Sequence, residues 1–319
     1  MPEYPSYLNA FESGKLKETA CRLFDSLGSC AICPRNCKVN RLENKTGFCK
    51  SGKLAKVYSF FCHHGEEPPV SGSKGSGTIF FSRCNMGCVY CQNYEFSQLG
   101  AGREYTFEEL AEVMLKLQGM GCHNINLVTP THVLPQILQA LQLACGRGLK
   151  IPLVYNTGGY ESAEVIKLLD GIVDIYLPDM RYADSEVSKK LSLAADYPRY
   201  NQEAVKEMYR QVGTAKFDAD GLIRRGLIIR HLVLPNRASG TDKIMRFIAE
   251  EISKDTYISL MSQYLPYHKA RAYPEINRRL KKEEYEEAKR ILEDNDLPNG
   301  WIQESYGSER FAGVNIKPV

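Results

Sequence analysis

From residue 77 onward the chain alternates short apolar runs with stretches whose apolar residues recur at helical spacing. Gly77-Thr78-Ile79-Phe80-Phe81, Ile125-Asn126-Leu127-Val128-Thr129, Ile151-Pro152-Leu153-Val154-Tyr155 and Asp174-Ile175-Tyr176-Leu177 read as strands, as do residues 227–234 and 257–263. Between them, Phe107, Leu110, Ala111, Met114 and Leu115 share a helical face behind a capping box of Thr106 and Glu109. Leu134, Ile137, Leu138 and Leu141 make a second such face, Val165, Ile166 and Leu169 a third, and residues 202–212 and 242–252 continue the series. Strands that are each followed by a helix or loop require parallel pairing through right-handed crossovers. Six such units fall short of an eightfold barrel. Upstream, Leu16, Ala20, Leu23, Phe24 and Leu27 predict one amphipathic helix within residues 1–28; downstream, Tyr285, Ala288, Ile291 and Leu292 predict another before Trp301.

Polar residues interrupt this pattern mainly at strand ends, where parallel sheets bind ligands. They are Thr129-Pro130-Thr131-His132, Asn156-Thr157-Gly158-Gly159, Asp179-Met180-Arg181, His231 with Asn236, and Gln263-Tyr264 with His268. One alone reads as a turn with a helix cap, which suits Thr131. Five in register around the loop after the first strand predict a site. That loop, residues 82–93, carries Cys84, Cys88 and Cys91 at spacing Cys-x3-Cys-x2-Cys. Three thiolates suit three irons of a 4Fe-4S cluster, and Asn85 and Gly87 let the backbone wrap it. The fourth iron then keeps an open position for a cofactor or substrate. A zinc loop, or three unrelated core cysteines, is the competing reading.

Charge and cysteine usage narrow the classes. A net charge of +3 on 319 residues is too small to make nucleic acid the main partner, and Arg278-Arg279-Leu280-Lys281-Lys282 reads as a solvated helix start. No apolar segment approaches the ~20 residues of a membrane span and the N-terminus does not resemble a signal peptide, so a cytoplasmic location is expected. In that reducing compartment the 11 cysteines are expected to be metal ligands and not disulfides, with Cys21, Cys62, Cys122 and Cys145 as small buried apolar residues. Cys30, Cys33, Cys37 and Cys49 fit a tetrahedral zinc site, and softness allows a second iron-sulfur cluster equally; four protein ligands would close the site and favour a structural metal. Cys62-His63-His64-Gly65-Glu66-Glu67-Pro68-Pro69 reads as a loop whose histidines are surface or supporting groups as readily as catalytic ones. Gly72, Gly75 and Gly77 are expected to let backbone approach the cluster.

Cys84, Cys88 and Cys91, with Tyr90 before the last of them, resemble the signature of radical S-adenosylmethionine (SAM) enzymes. The resemblance implies an α/β fold built as a partial (β/α)6 barrel, a 4Fe-4S cluster and SAM as cofactors, and reductive cleavage of SAM to a 5'-deoxyadenosyl radical that abstracts hydrogen. The chain is further similar to the pyruvate formate-lyase-activating-enzyme-like group, activating enzymes of glycyl radical enzymes, through Gly65-Glu66-Glu67-Pro68-Pro69, Val128-Thr129-Pro130-Thr131-His132 and Arg230-His231-Leu232-Val233-Leu234-Pro235. On that resemblance Tyr90 packs near the adenine, Asn156 and Thr157 bind ribose or carboxylate, Asp179 with Arg181 holds the methionine end, and Thr129, Arg230 and Gln263 complete the SAM-binding set. Asp179-Met180-Arg181 stands where those enzymes have Asp-x-Lys, Thr129-Pro130-Thr131 where they have Gly-Gly-Glu, and the four-cysteine segment precedes the cluster loop instead of following it. Implied partners are a glycyl radical enzyme as substrate protein and a reducing donor such as flavodoxin or ferredoxin, with no nucleic acid and no membrane. Modification of a peptide, a tRNA or a small metabolite is the alternative of the same chemistry. A non-catalytic iron-sulfur or zinc protein for electron transfer or interaction is the alternative of another class. The expected division is an N-terminal helix with the four-cysteine metal-binding region over 1–70, the barrel over 71–268 and a helical extension over 269–319.

Overall fold

The computed structural model describes residues 4–302. Its strands are β1 (Ala55–His63), β2 (Ser76–Phe81), β3 (Arg103–Tyr105), β4 (Ile125–Val128), β5 (Leu153–Thr157), β6 (Ile175–Pro178), β7 (Lys216–Phe217), β8 (Ile223–Leu232), β9 (Tyr257–Met261) and β10 (Gly300–Ile302). They form one sheet in the order β10-β9-β8-β6-β5-β4-β2-β1-β3, with β7 on β8. Pairing is parallel from β2 through β4, β5, β6, β8 and β9 to β10. All six expected strands are present in a partial parallel barrel of mixed α/β type. Additional edges close the sheet: β1 runs antiparallel on β2 and carries β3, and β10 adds a parallel strand from the C-terminal side.

Side-chain alternation sorts the two faces. Ile79, Leu127, Tyr155, Tyr176, Ile229 and Leu260 point outward into the main core beneath the helices. Val154, Ile175, Leu177 and Ile228 point inward and meet Val70, which rises from the helical turn Pro68–Ser71. Asn124 Nδ2 donates to the Val70 carbonyl at 2.7 Å and pins that turn beneath the start of β4, so the barrel is closed at the amino ends of its strands. Each such buried Val or Ile contributes about 1.5–3 kcal/mol.

Local expectations fare unevenly. The Thr106 capping box forms, with Glu109 N donating to Thr106 Oγ1 at 3.2 Å and Thr106 N to Glu109 Oε2 at 2.8 Å. The single helix expected near the N-terminus is two, Ser6–Glu12 and Lys15–Asp25, because Gly14 adopts a φ of 81° between them. Cys62 and His63 lie in β1 and not in a loop. Gly72, Gly75 and Gly77 sit at the end of the barrel away from the cysteine loop; Gly77 lies under the Asn124 carbonyl, where a Cβ would stand 2.5 Å from the oxygen. Cys62 and Cys122 form a disulfide and Cys21 is exposed, so of the cysteines read as buried apolar residues only Cys145 is one. The expected end segments include residues 1–3 and 303–319, which lie outside the described residues. Among the described residues no helix is long and apolar enough to cross a membrane.

Candidate functional site

The cysteine loop leaves β2 at the fully buried Ser82 and is fastened along its length. Arg83, at a φ of 75° that non-glycine residues seldom adopt, donates its N–H to Phe96 O at 2.9 Å. Gly87 N donates to Ser192 O at 3.0 Å and Val89 N to Leu191 O at 2.9 Å. From the other side Arg35 Nε donates to the Asn85 carbonyl at 2.8 Å, and Asn85 Nδ2 to Tyr160 O at 2.7 Å.

This fastening places a donor beside every sulfur. Met86 N lies 3.3 Å from Cys84 Sγ, Ser192 Oγ 2.9 Å and Arg181 Nη1 3.1 Å from Cys88 Sγ, and Ser97 Oγ 3.2 Å from Cys91 Sγ. Burial, then the neighbouring Cys88 and Cys91 sulfurs, push the Cys84 thiol up to about 12, and Cys91 rises for the same reasons. Three ionised sulfurs so placed need metal charge to stay ionised, and hydrogen bonds to the sulfurs are how proteins tune iron-sulfur clusters. The donor set fits a cluster held by Cys84, Cys88 and Cys91. Among the described residues no three His, Cys, Asp or Glu groups already stand at coordination spacing, so binding draws the sulfurs together.

A chain of charges runs from Cys88 into the barrel. Arg181 reaches Asp179 Oδ2 through Nε at 3.0 Å, and Arg230 Nε reaches Asp179 Oδ1 at 2.8 Å. Arg230 Nη2 also donates to Asn156 Oδ1 at 2.7 Å, and its Nη1 lies 3.7 Å from Glu66 Oε2. Burial pushes the Asp179 carboxyl up, but Arg230 and Arg181 together outweigh it and hold the group below the ordinary aspartate range. Beneath it burial raises both Glu66 and Glu67, Glu67 to about 7. Both glutamates lie in a loop between β1 and Pro68–Ser71, as the sequence predicts, and nothing periodic marks them as reaching the Arg230 cluster.

The remaining candidates divide. Tyr90 is buried, its hydroxyl 2.5 Å from that of Tyr182 and its ring edge-on to Tyr264. Thr129 has a φ of 58° and donates its N–H to Asn156 O at 2.8 Å. Thr157 Oγ1 is taken by the buried Glu161, which also accepts from Thr131 Oγ1 at 2.5 Å and which burial raises to about 7. Gln263 meets the cysteine loop through its carbonyl, which accepts from Gln92 Nε2 at 3.3 Å. Four polar strand-end residues do not join the register expected of them, and one is Asn236, whose side chain donates to Glu275 O at 2.6 Å and accepts from Arg278 at 2.8 Å. His231 faces the helix side, bonded to Met180 O and Thr241, His268 stacks on Tyr94, and His132 turns toward the N-terminal lobe, where with Cys30, Cys33, Cys37 and Cys49 it lines one cavity.

Comparison with known proteins agrees with this geometry. The family model described as the radical SAM superfamily matches residues 78–218. An uncharacterized protein of Methanocaldococcus jannaschii is 33% identical over 279 residues, 84% of this chain and 75% of its own length. A second uncharacterized protein of that organism is 24% identical over 80% of this chain and 73% of its own length. The structure of a radical SAM methyltransferase from Sphaerobacter thermophilus superposes with a TM-score of 0.47 at 15% identity, over 72% of this chain and 67% of that one. A three-cysteine loop at the head of a partial parallel barrel, matched by the family model from β2 to β7, leaves one assignment: the chain belongs to the radical SAM superfamily and is an iron-sulfur enzyme that cleaves SAM.

Proposed function

We propose that this enzyme is an oxidoreductase of the pyruvate formate-lyase-activating-enzyme-like group, abstracting hydrogen from the backbone of a glycyl radical enzyme. The observation that carries the reading is the continuity from Cys88 through Arg181, Asp179 and Arg230 to Asn156, which sets a fixed charge array beside the sulfurs. When bound and reduced, the cluster supplies the electron that splits SAM. Arg181 steadies the Cys88 sulfur with one N–H and fixes Asp179 with others. Asp179, kept as an anion, is the partner for the SAM ammonium, and Arg181 and Arg230 are the partners for its carboxylate. Asn156 is oriented by Arg230 for the ribose, with Thr129, Thr157 and Gln263 at the neighbouring strand ends, and Tyr90 closes the adenine side within its tyrosine cluster. The N-terminal cysteines serve as a structural metal site. A cytoplasmic setting with flavodoxin or ferredoxin as donor completes the reading.

The test is anaerobic. The reconstituted, reduced enzyme forms 5'-deoxyadenosine, and Asp179→Ala or Arg181→Ala weakens SAM binding. With a glycyl radical enzyme added, a glycyl doublet grows in the electron paramagnetic resonance spectrum. SAM cleavage without any doublet across a panel of such proteins removes the substrate assignment and leaves the cleavage standing.

A further inference from the structure

We propose that the N-terminal lobe binds one soft divalent cation, with zinc as the test ion, through Cys33, Cys37, Cys49 and Nδ1 of His132, a residue of the barrel, and that this ion braces the catalytic loop from behind. The inference deepens the reading of the lobe as a structural metal site and does not depend on SAM cleavage.

Size comes first. The cavity shared by Cys30, Cys33, Cys37, Cys49 and His132 measures about 10 Å3, room for roughly one water-sized sphere. One ion fits this space as it stands. The chemistry of His132 comes second. It is fully buried, and its Nε2 lies 2.8 Å from the Ser82 carbonyl. A carbonyl only accepts, so Nε2 carries the proton and Nδ1 is left with a lone pair that has no partner. A buried nitrogen lone pair without a partner, on a residue that shares its cavity with four thiols, is a group for which native structures supply a partner. A histidine ligand oriented by giving its other ring N–H to a backbone carbonyl is the arrangement metal sites use.

The donors exceed a tetrahedral set by one. Cys30 is left outside the proposed set, paired with Arg41, whose Nη1 lies 3.8 Å from its sulfur and which, almost wholly buried, is anchored on Gly52 O at 3.1 Å. Gly47 is required for closure, since a Cβ there would stand 2.6 Å from Cys37 Sγ. As they stand the donors do not converge, so binding pulls the sulfurs inward over the cavity.

The bracing follows from two contacts. His132 holds Ser82, two residues before Cys84, while Arg35, between Cys33 and Cys37, holds the carbonyl of Asn85, the residue after Cys84. An ion that fixes His132 and the 33–37 turn therefore fixes the catalytic loop on both sides of its first sulfur.

The deciding experiment uses the full chain with Cys84→Ala, Cys88→Ala and Cys91→Ala combined, purified anaerobically with both zinc and iron supplied. About one zinc per chain and no inorganic sulfide is expected. Iron with sulfide, or no metal at all, overturns the proposal, and neither result bears on SAM cleavage, which this variant cannot perform. X-ray absorption at the zinc edge should show three sulfurs and one nitrogen; four sulfurs overturn the His132 assignment without any further mutation. In the same background His132→Ala should weaken zinc in chelator competition by about tenfold or more, whereas Cys30→Ser should not. In the intact chain, zinc removal should speed amide exchange across residues 82–93 by about tenfold, and unchanged exchange overturns the bracing.

Discussion

In the catalytic loop each sulfur has a donor from the barrel or from its own backbone, among them Arg181, Ser192 and Ser97. In the N-terminal lobe the partners are Arg41 on Cys30 and the Arg35 backbone N–H on Cys33, and Ile32 and Val39 share the wall with the sulfurs. The first group has three thiols beside a charged array in the barrel; the second has four around a small, partly open cavity with an imidazole added. Cysteine count alone says that both bind soft metal. What separates them is the surroundings: donors on every sulfur in one, a small cavity and a buried imidazole in the other.

The largest expected effect breaks the first group alone. Cys84→Ser, Cys88→Ser or Cys91→Ser should each abolish 5'-deoxyadenosine formation and remove the iron while leaving zinc in the lobe; iron retained at full content would show that the two groups had been read the wrong way round. Asp179→Ala strips Arg181 and Arg230 of their shared partner, and breaking a buried ion pair costs about 3–5 kcal/mol, to be read from urea unfolding. Zinc content should not change, which sharpens the contrast. The Cys62–Cys122 disulfide, at the opposite end of the barrel, is the control: Cys62→Ser should lose about 2–4 kcal/mol without reductant and nothing with it, and neither metal should move.

The smallest effect concerns Glu161, which takes both Thr131, next to His132, and Thr157 and so stands between the two groups. Burial raises its folded value to about 7, above the ordinary 4.5, so the native state keeps the proton to higher pH than the unfolded chain does. Its share of stability is full below about pH 4.5 and is lost as pH rises through about 7. Glu161→Gln should flatten that slope in urea midpoints measured across the window, and an unchanged slope would sink the assignment.

Strands buried on both faces left continuous apolar runs, and so all six were readable. β1 was not, because its pairing with β2 shifts between Val57 and Ser59 and a bulge there breaks the alternation a reader looks for. β10 has three residues, too few to carry a period. The cysteine loop was legible because its three thiols lie within one short stretch of chain, and the grouping of Asn156, Asp179 and Arg181 because parallel strands bring their carboxyl ends together. His132 went astray because past the last paired residue of β4 alternation no longer says which way a side chain points, whereas His231 lies inside the β8–β9 pairing, two residues after the outward Ile229, where alternation assigns it to the helix side. The Cys62–Cys122 pairing joins residues 60 apart and leaves no local sign.

Val70, seated among Val154, Ile175, Leu177 and Ile228, makes the barrel a vessel with a stopper. Arg230, joined through Asp179 and Arg181 to Cys88, therefore lies on the sulfur side of that stopper.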